Sequence, residues 1–224
     1  MKKINVAIDG VAGSGKSSVA QIIAKRLGYR YIDTGSMYRC VAYLLVKNNI
    51  DPQNDEEINN LLENNYEYKY DDGKVFFNDE DVTLSIRSNE VNDMLPKIVA
   101  KPDIRKFLVA KQQKMGENKG VVMDGRDIGS VVLKDAELKI YQVASVESRA
   151  TRRYEENVKK GISCSYKEIL ENLEKRDYID KYVSKALVKV EDAIEVDTTN
   201  MTFEEVCDYI YELALKKVKE WLRQ

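Results

Sequence analysis

Apolar residues stand at every second position at the start of the chain (Ile4, Val6, Ile8) and then at helical spacing (Val19, Ile22, Ile23, Leu27). A strand running into a helix is expected, with Gly28 closing the helix. The same succession repeats downstream. Tyr29 to Ile32 reads as a strand, about Ser36 to Lys47 as a helix burying Val41, Leu44 and Leu45, and Asp55 as the cap of a short helix through Leu62. From Tyr66 to Val82 the period is two, with turns at Asp71-Asp72-Gly73 and Asn78-Asp79, which predicts a small antiparallel hairpin or three-stranded sheet.

Helical spacing returns from about Asn89 to Met115, interrupted at Pro96 and restarted at Pro102. Gly120 to Met123, Leu138 to Val143 and Ala193 to Val196 read as strands. Ser145 is placed to cap the helix after the second of these, and Ser165 with Glu168 and Thr202 with Glu205 have capping-box spacing. Outside the small insert, strands alternate with helices. That order predicts a five-stranded parallel sheet with helices on both faces, its functional loops gathered along one edge.

Composition acts mainly by exclusion. The 224 residues, 43% apolar and 33% charged, suit one sizeable core with small attachments. A net charge of -2 argues against a chain that coats nucleic acid or anionic membrane. The aromatic hairpin is flanked by Asp71, Asp72, Asp79, Glu80 and Asp81, so it is expected to be the core of an insert and not an RNA platform. Histidine is absent, which removes Ser-His and Cys-His nucleophile schemes. Cys40, Cys164 and Cys207 are widely spaced, as reduced thiols are. The first residues read as a strand and not a signal peptide, and no apolar run approaches a membrane span; a cytoplasmic location without membrane partners is expected.

Between the first strand and helix lies G-V-A-G-S-G-K-S, in which Gly10, Gly15, Lys16 and Ser17 satisfy the phosphate-loop pattern. Its backbone N–H groups would cradle a di- or triphosphate at the positive end of the helix. Lys16 would reach the outer phosphates, and Ser17 would ligate Mg²⁺. The loop alone does not separate switch, motor and kinase. Arginines sharpen the choice: Arg39 follows Asp33-Thr34-Gly35, Arg126 lies in Asp124 to Gly129, and Arg149, Arg152 and Arg153 share a helix. Two anions meeting there is the simplest reason for so many guanidinium groups.

Five stretches in order, I-D-G-V-A-G-S-G-K-S, Y-I-D-T-G-S-M-Y-R, D-G-R-D-I-G, E-S-R-A-T-R-R and E-K-R-D-Y-I-D, resemble the bacterial cytidylate kinase family over essentially the whole chain. The resemblance implies a single P-loop nucleoside monophosphate kinase domain over 1–224. Its core would be 1–34, 116–145 and 185–224, with a monophosphate-binding region at about 35–115, a β insert at about 64–84 and a helical lid at about 146–184. It further implies ATP-dependent phosphorylation of CMP and dCMP, with Mg²⁺ at Ser17, by a monomer. ATP would be held by Gly10, Val11, Ala12, Gly13, Ser14, Gly15, Lys16, Ser17 and Ser18. CMP would meet Thr34, Tyr38, Arg39, Arg105, Asp124, Arg126, Asp127, Arg176 and Asp180, with Asp127 and Arg105 on the base. Lys16, Arg126, Arg149 and Arg153 would act on the transferred group; Lys159-Lys160 reads as a solvated face.

This chain departs from the family's pattern at two places. Pro96 stands where the family often has a base-contacting serine, and Val183 where it has an arginine, with Lys181 or Lys185 as substitute point charges. A kinase of another or relaxed small acceptor, and a regulatory nucleotide-binding module that has lost catalysis, are the alternatives.

Overall fold

The first strand, β1 (Val6–Gly10), is buried at every residue. Its place explains why: β1 is the middle strand of a five-stranded parallel sheet, where both faces are covered. The computed structural model describes residues 2–64, 66–183 and 186–223. In chain order the elements are β1, α1 (Lys16–Leu27), β2 (Arg30–Asp33), α2 (Thr34–Lys47), α3 (Asp55–Leu62), β3 (Tyr68–Asp71), β4 (Lys74–Phe77), β5 (Glu80–Asp81), α4 (Asn89–Val99), α5 (Pro102–Gly116), β6 (Val121–Gly125), β7 (Leu138–Val143), α6 (Val146–Lys159), α7 (Tyr166–Tyr178), β8 (Ile194–Asp197) and α8 (Phe203–Leu222). The large sheet runs β2-β6-β1-β7-β8 and the small one β3-β4-β5.

Two compact units divide the chain: Met1–Tyr31 with Asn118–Gln224, and Ile32–Glu117. In the first, β1 pairs in parallel with β6, Val6 opposite Val122, and with β7, Val6 opposite Leu138. β7 continues the sheet to β8. α8 lies against α1, where Arg26 pairs with Asp208 at 2.6 Å. α6 and α7 form a helical hairpin whose Ala150 and Leu173 bury Ala12 of the phosphate loop.

In the second unit, α2 packs against the antiparallel insert through Cys40, Leu44, Val75, Phe77, Val82 and Ile86. Tyr66 stacks on Phe77 with ring centroids 5.1 Å apart. The aromatic residues of β3 and β4 therefore serve the insert's own core.

Three local expectations are corrected. Asn54, one residue before Asp55, caps α3 by accepting from the Glu57 N–H at 3.1 Å; Asp55 is instead in the first turn, where its charge favours the helix's positive end. Ser165 makes no side-chain cap, whereas Thr202 and Glu205 form the full reciprocal box. Pro96 lies inside α4 and does not interrupt it. Pro96 has no N–H to offer the Asn92 carbonyl one turn earlier, but both residues are exposed, and the break comes at Ala100-Lys101. There Pro102 forces the preceding Lys101 into extended backbone, at φ -85° and ψ 121°. Of the two substitute lysines, Lys181 is exposed with its ammonium over the Tyr182 ring, and Lys185 lies outside the described residues.

Candidate active site

The loop after β1 bends at glycines because the chain needs left-handed backbone there. Gly13 and Gly15 have φ of 72° and 84°, and Gly15 caps α1 without a side chain. Gly10 is required for a different reason: a Cβ there would stand 2.0 Å from the carbonyl oxygen of Gln142 on β7. Lys16 is buried, with its ammonium 3.4 Å from the Val11 carbonyl it donates to. Burial pulls its pKa down to about 7; Arg126 and Arg176 add to the shift, and Asp124 and Asp180 oppose it. A cation this poorly solvated is primed for an anion.

Ser17 is tied to the end of β6. Its hydroxyl donates to Asp124 Oδ2 at 2.6 Å, and the buried Tyr31 hydroxyl donates to Asp124 Oδ1, also at 2.6 Å. A hydroxyl beside a carboxylate at the foot of a phosphate loop is an oxygen donor set of the hard kind that Mg²⁺ prefers. Among the described residues no cluster of three or more acidic, cysteine or histidine side chains offers a separate metal site.

The loop after β6 is fixed by Asp9. This buried carboxylate accepts the N–H groups of Ile128 and Gly129 at 2.8 Å each. Burial lifts its pKa to about 6 against the pull of those two bonds, with Asp127 adding and Lys16 opposing. Beside it, Arg126 donates through Nε to Asp180 at 2.6 Å, and both side chains are about one-fifth exposed. Two residues read separately in the sequence are thus one ion pair.

The three arginines of α6 have different surroundings. Arg149 is 3% exposed, donates to the Ala12 carbonyl at 2.8 Å and pairs with Asp177 at 2.5 Å. Arg152 donates to the carbonyls of Thr198, Thr199 and Met201. Arg153 is exposed, 3.3 Å from Glu156. Arg176 is exposed on α7, and the exposed Lys159 and Lys160 end α6, Lys160 pairing with Glu156.

Within the second unit, Thr34 is buried at the start of α2, capped by Asp33, which accepts from the Ser36 N–H. Tyr38 and Arg39 are half-buried on the same helix, and Arg39 donates to the Ile86 carbonyl at 3.0 Å and to Asn92 at 2.8 Å. Arg105 is half-buried on α5. Sequence reasoning passed over Asp9, Tyr31, Gln142 and Asp177. The available signal was a lone amide in the apolar strand L-K-I-Y-Q-V and a carboxylate directly before the first loop glycine.

Residues 6–216 match the family model described as cytidylate kinase. A cytidylate kinase of Streptococcus uberis is 46% identical over 224 residues, covering 96% of this chain and 98% of its own. That of Listeria welshimeri is 48% identical over 221 residues, covering 97% and 98%, and that of Bacillus subtilis 45% identical with 96% and 98% covered. A crystal structure of a gluconokinase from Sinorhizobium meliloti shares the fold with a TM-score of 0.52 at 16% identity, covering 99% of this chain and 98% of its own.

Proposed function

The chain belongs to the cytidylate kinase family, and we propose from that membership how its residues divide the work of making CDP and dCDP from ATP and CMP or dCMP. The reaction is phosphoryl transfer: an oxygen of the acceptor's phosphate bonds to the γ-phosphorus while the bond to the β–γ bridging oxygen breaks, releasing ADP. The acceptor oxygen is already ionised at neutral pH, so a chain without histidine lacks nothing essential. Positioning and charge neutralisation carry the step.

The phosphate loop, Gly10 to Ser18, takes the triphosphate, and Lys16 follows the charge that moves to the β–γ oxygen. Ser17 and Asp124 would hold Mg²⁺, which would supply charge neutralisation for the outer phosphates. The resemblance puts Asp124 with the acceptor; its bond to Ser17 supports the metal side instead. Arg126, Asp127, Arg176 and Asp180 are assigned to the acceptor nucleotide, as are Thr34, Tyr38, Arg39 and Arg105, all eight on resemblance. Arg153 is the exposed lid guanidinium available to the transferred group. Arg149 serves by holding Ala12 of the loop. A monomer working in the cytoplasm completes the reading; no described helix is long and apolar enough to cross a membrane.

The observation that carries this is the buried Lys16 beside the Ser17–Asp124 pair, in a chain matched to the family almost end to end. Its test is ADP formation with CMP, dCMP, UMP, AMP and shikimate as acceptors. CMP and dCMP should dominate, and a rate with them no higher than with ATP alone would end the proposal.

A further inference from the structure

We infer that Gln142 is a positioning residue for ATP: by holding the Ser14 carbonyl, its side-chain amide aims the Gly15 N–H at the nucleotide's phosphates. This deepens the kinase reading and rests on it.

The strand register puts Gln142 opposite Gly10, and the glycine lets β7 pass directly beneath the phosphate loop. Gln142 is 1% exposed, and its Nε2 donates to the Ser14 carbonyl at 2.6 Å. No described peptide is cis. In a trans peptide the carbonyl and the next N–H point to opposite sides. Drawing the Ser14 oxygen into the protein therefore turns the Gly15 N–H outward. The burial pattern agrees, since Ala12 and Ser14 are buried while Gly13 and Gly15 face solvent. Arg149 does the same one step earlier, drawing in the Ala12 carbonyl and freeing the Gly13 N–H. Two donors, from β7 and α6, thus fix alternate carbonyls of the loop.

The arrangement has a cost that only a use explains. Gln142 Oε1 and Ser14 Oγ are buried with no hydrogen-bond partner among the described residues. An apolar side chain at position 142 would fill the strand without leaving an amide oxygen unpaired. What it would lose is the bond to the loop.

The test compares Gln142→Leu, Gln142→Met and Gln142→Glu with the unaltered protein, titrating each with MgATP and separately with CMP and following turnover. Leu and Met should weaken ATP about five- to tenfold, the worth of one hydrogen bond, while CMP affinity and kcat stay within about twofold. Glu should be worse than either, because a carboxylate oxygen then faces the Ser14 carbonyl. Met keeps nearly the same volume, and the unfolding midpoint shows that each variant is folded. Unchanged ATP affinity in Leu and Met, or equal losses for ATP and CMP, would overturn the inference. Failure of the unaltered protein to bind ATP would instead remove the kinase reading, and this inference with it.

Discussion

Ser17 and Asp124 lie 107 positions apart in the chain and share a 2.6 Å hydrogen bond, while Tyr31 takes the second oxygen of the same carboxylate. The end of β6 is thereby fastened to the first turn of α1. Asp124→Asn keeps the shape but turns one acceptor into a donor that faces a hydroxyl. The Mg²⁺ concentration giving half-maximal activity should rise about 10- to 100-fold, the usual scale for a residue supporting a metal ligand. The KM for CMP should change little. If CMP binding weakens and the Mg²⁺ response does not move, Asp124 belongs to the acceptor after all.

Asp9 makes stability depend on pH in an unusual direction. Its folded pKa, about 6, lies above the ordinary 3.8, so the protonated form is the one that favours folding. Its contribution is complete below about pH 3.8 and is lost as pH rises through about 6. A shift of about two pH units corresponds to about 3 kcal/mol. Asp9→Asn cannot titrate. Urea unfolding from pH 4 to 7 should show that this downward component, present in the unaltered protein, is missing from the variant; parallel curves would refute it.

Much of this was readable in advance because the repeating periods were strong. Ile4, Val6 and Ile8 mark a strand and Val19, Ile22, Ile23 and Leu27 a helix, of which Val19 and Ile23 are fully buried, and Gly10, Gly15, Lys16 and Ser17 have fixed spacing because the backbone must wrap an anion. Pro96 misled because a proline's effect depends on whether water reaches the carbonyl it orphans, which period alone does not say. The Arg126–Asp180 and Arg149–Asp177 pairs were illegible for a related reason. Each joins residues far apart in sequence: Arg149 meets Asp177 only because α6 packs on α7, and Arg126 meets Asp180 only because the segment after α7 returns to the loop after β6, which no local pattern specifies.

Pro96→Ser should act twice. Restoring the N–H gives the Asn92 carbonyl its partner inside α4 and should raise the unfolding free energy by about 1–3 kcal/mol. It also places a hydroxyl at the position where the resemblance implies a serine on the base. The KM for CMP should fall severalfold while that for ATP holds steady. Greater stability with an unchanged KM would show that position 96 does not meet the base in this chain.

Lys16 yields a prediction in protons. In the free protein its pKa is lowered to about 7, chiefly by burial and then by Arg126, so by pH 8 most of the side chain is neutral. A bound triphosphate favours the ammonium and raises the pKa again. Binding ATP at pH 8 should therefore take up close to one proton, and at pH 6, where Lys16 is already charged, almost none. Calorimetric titration in two buffers of different ionisation enthalpy measures this uptake directly. Lys16→Met should abolish the pH 8 uptake and weaken ATP at both pH values. Uptake near zero at pH 8 in the unaltered protein would mean that Lys16 is charged before ATP arrives, and that neighbouring carboxylates such as Asp124 compensate its burial more fully than the geometry implies.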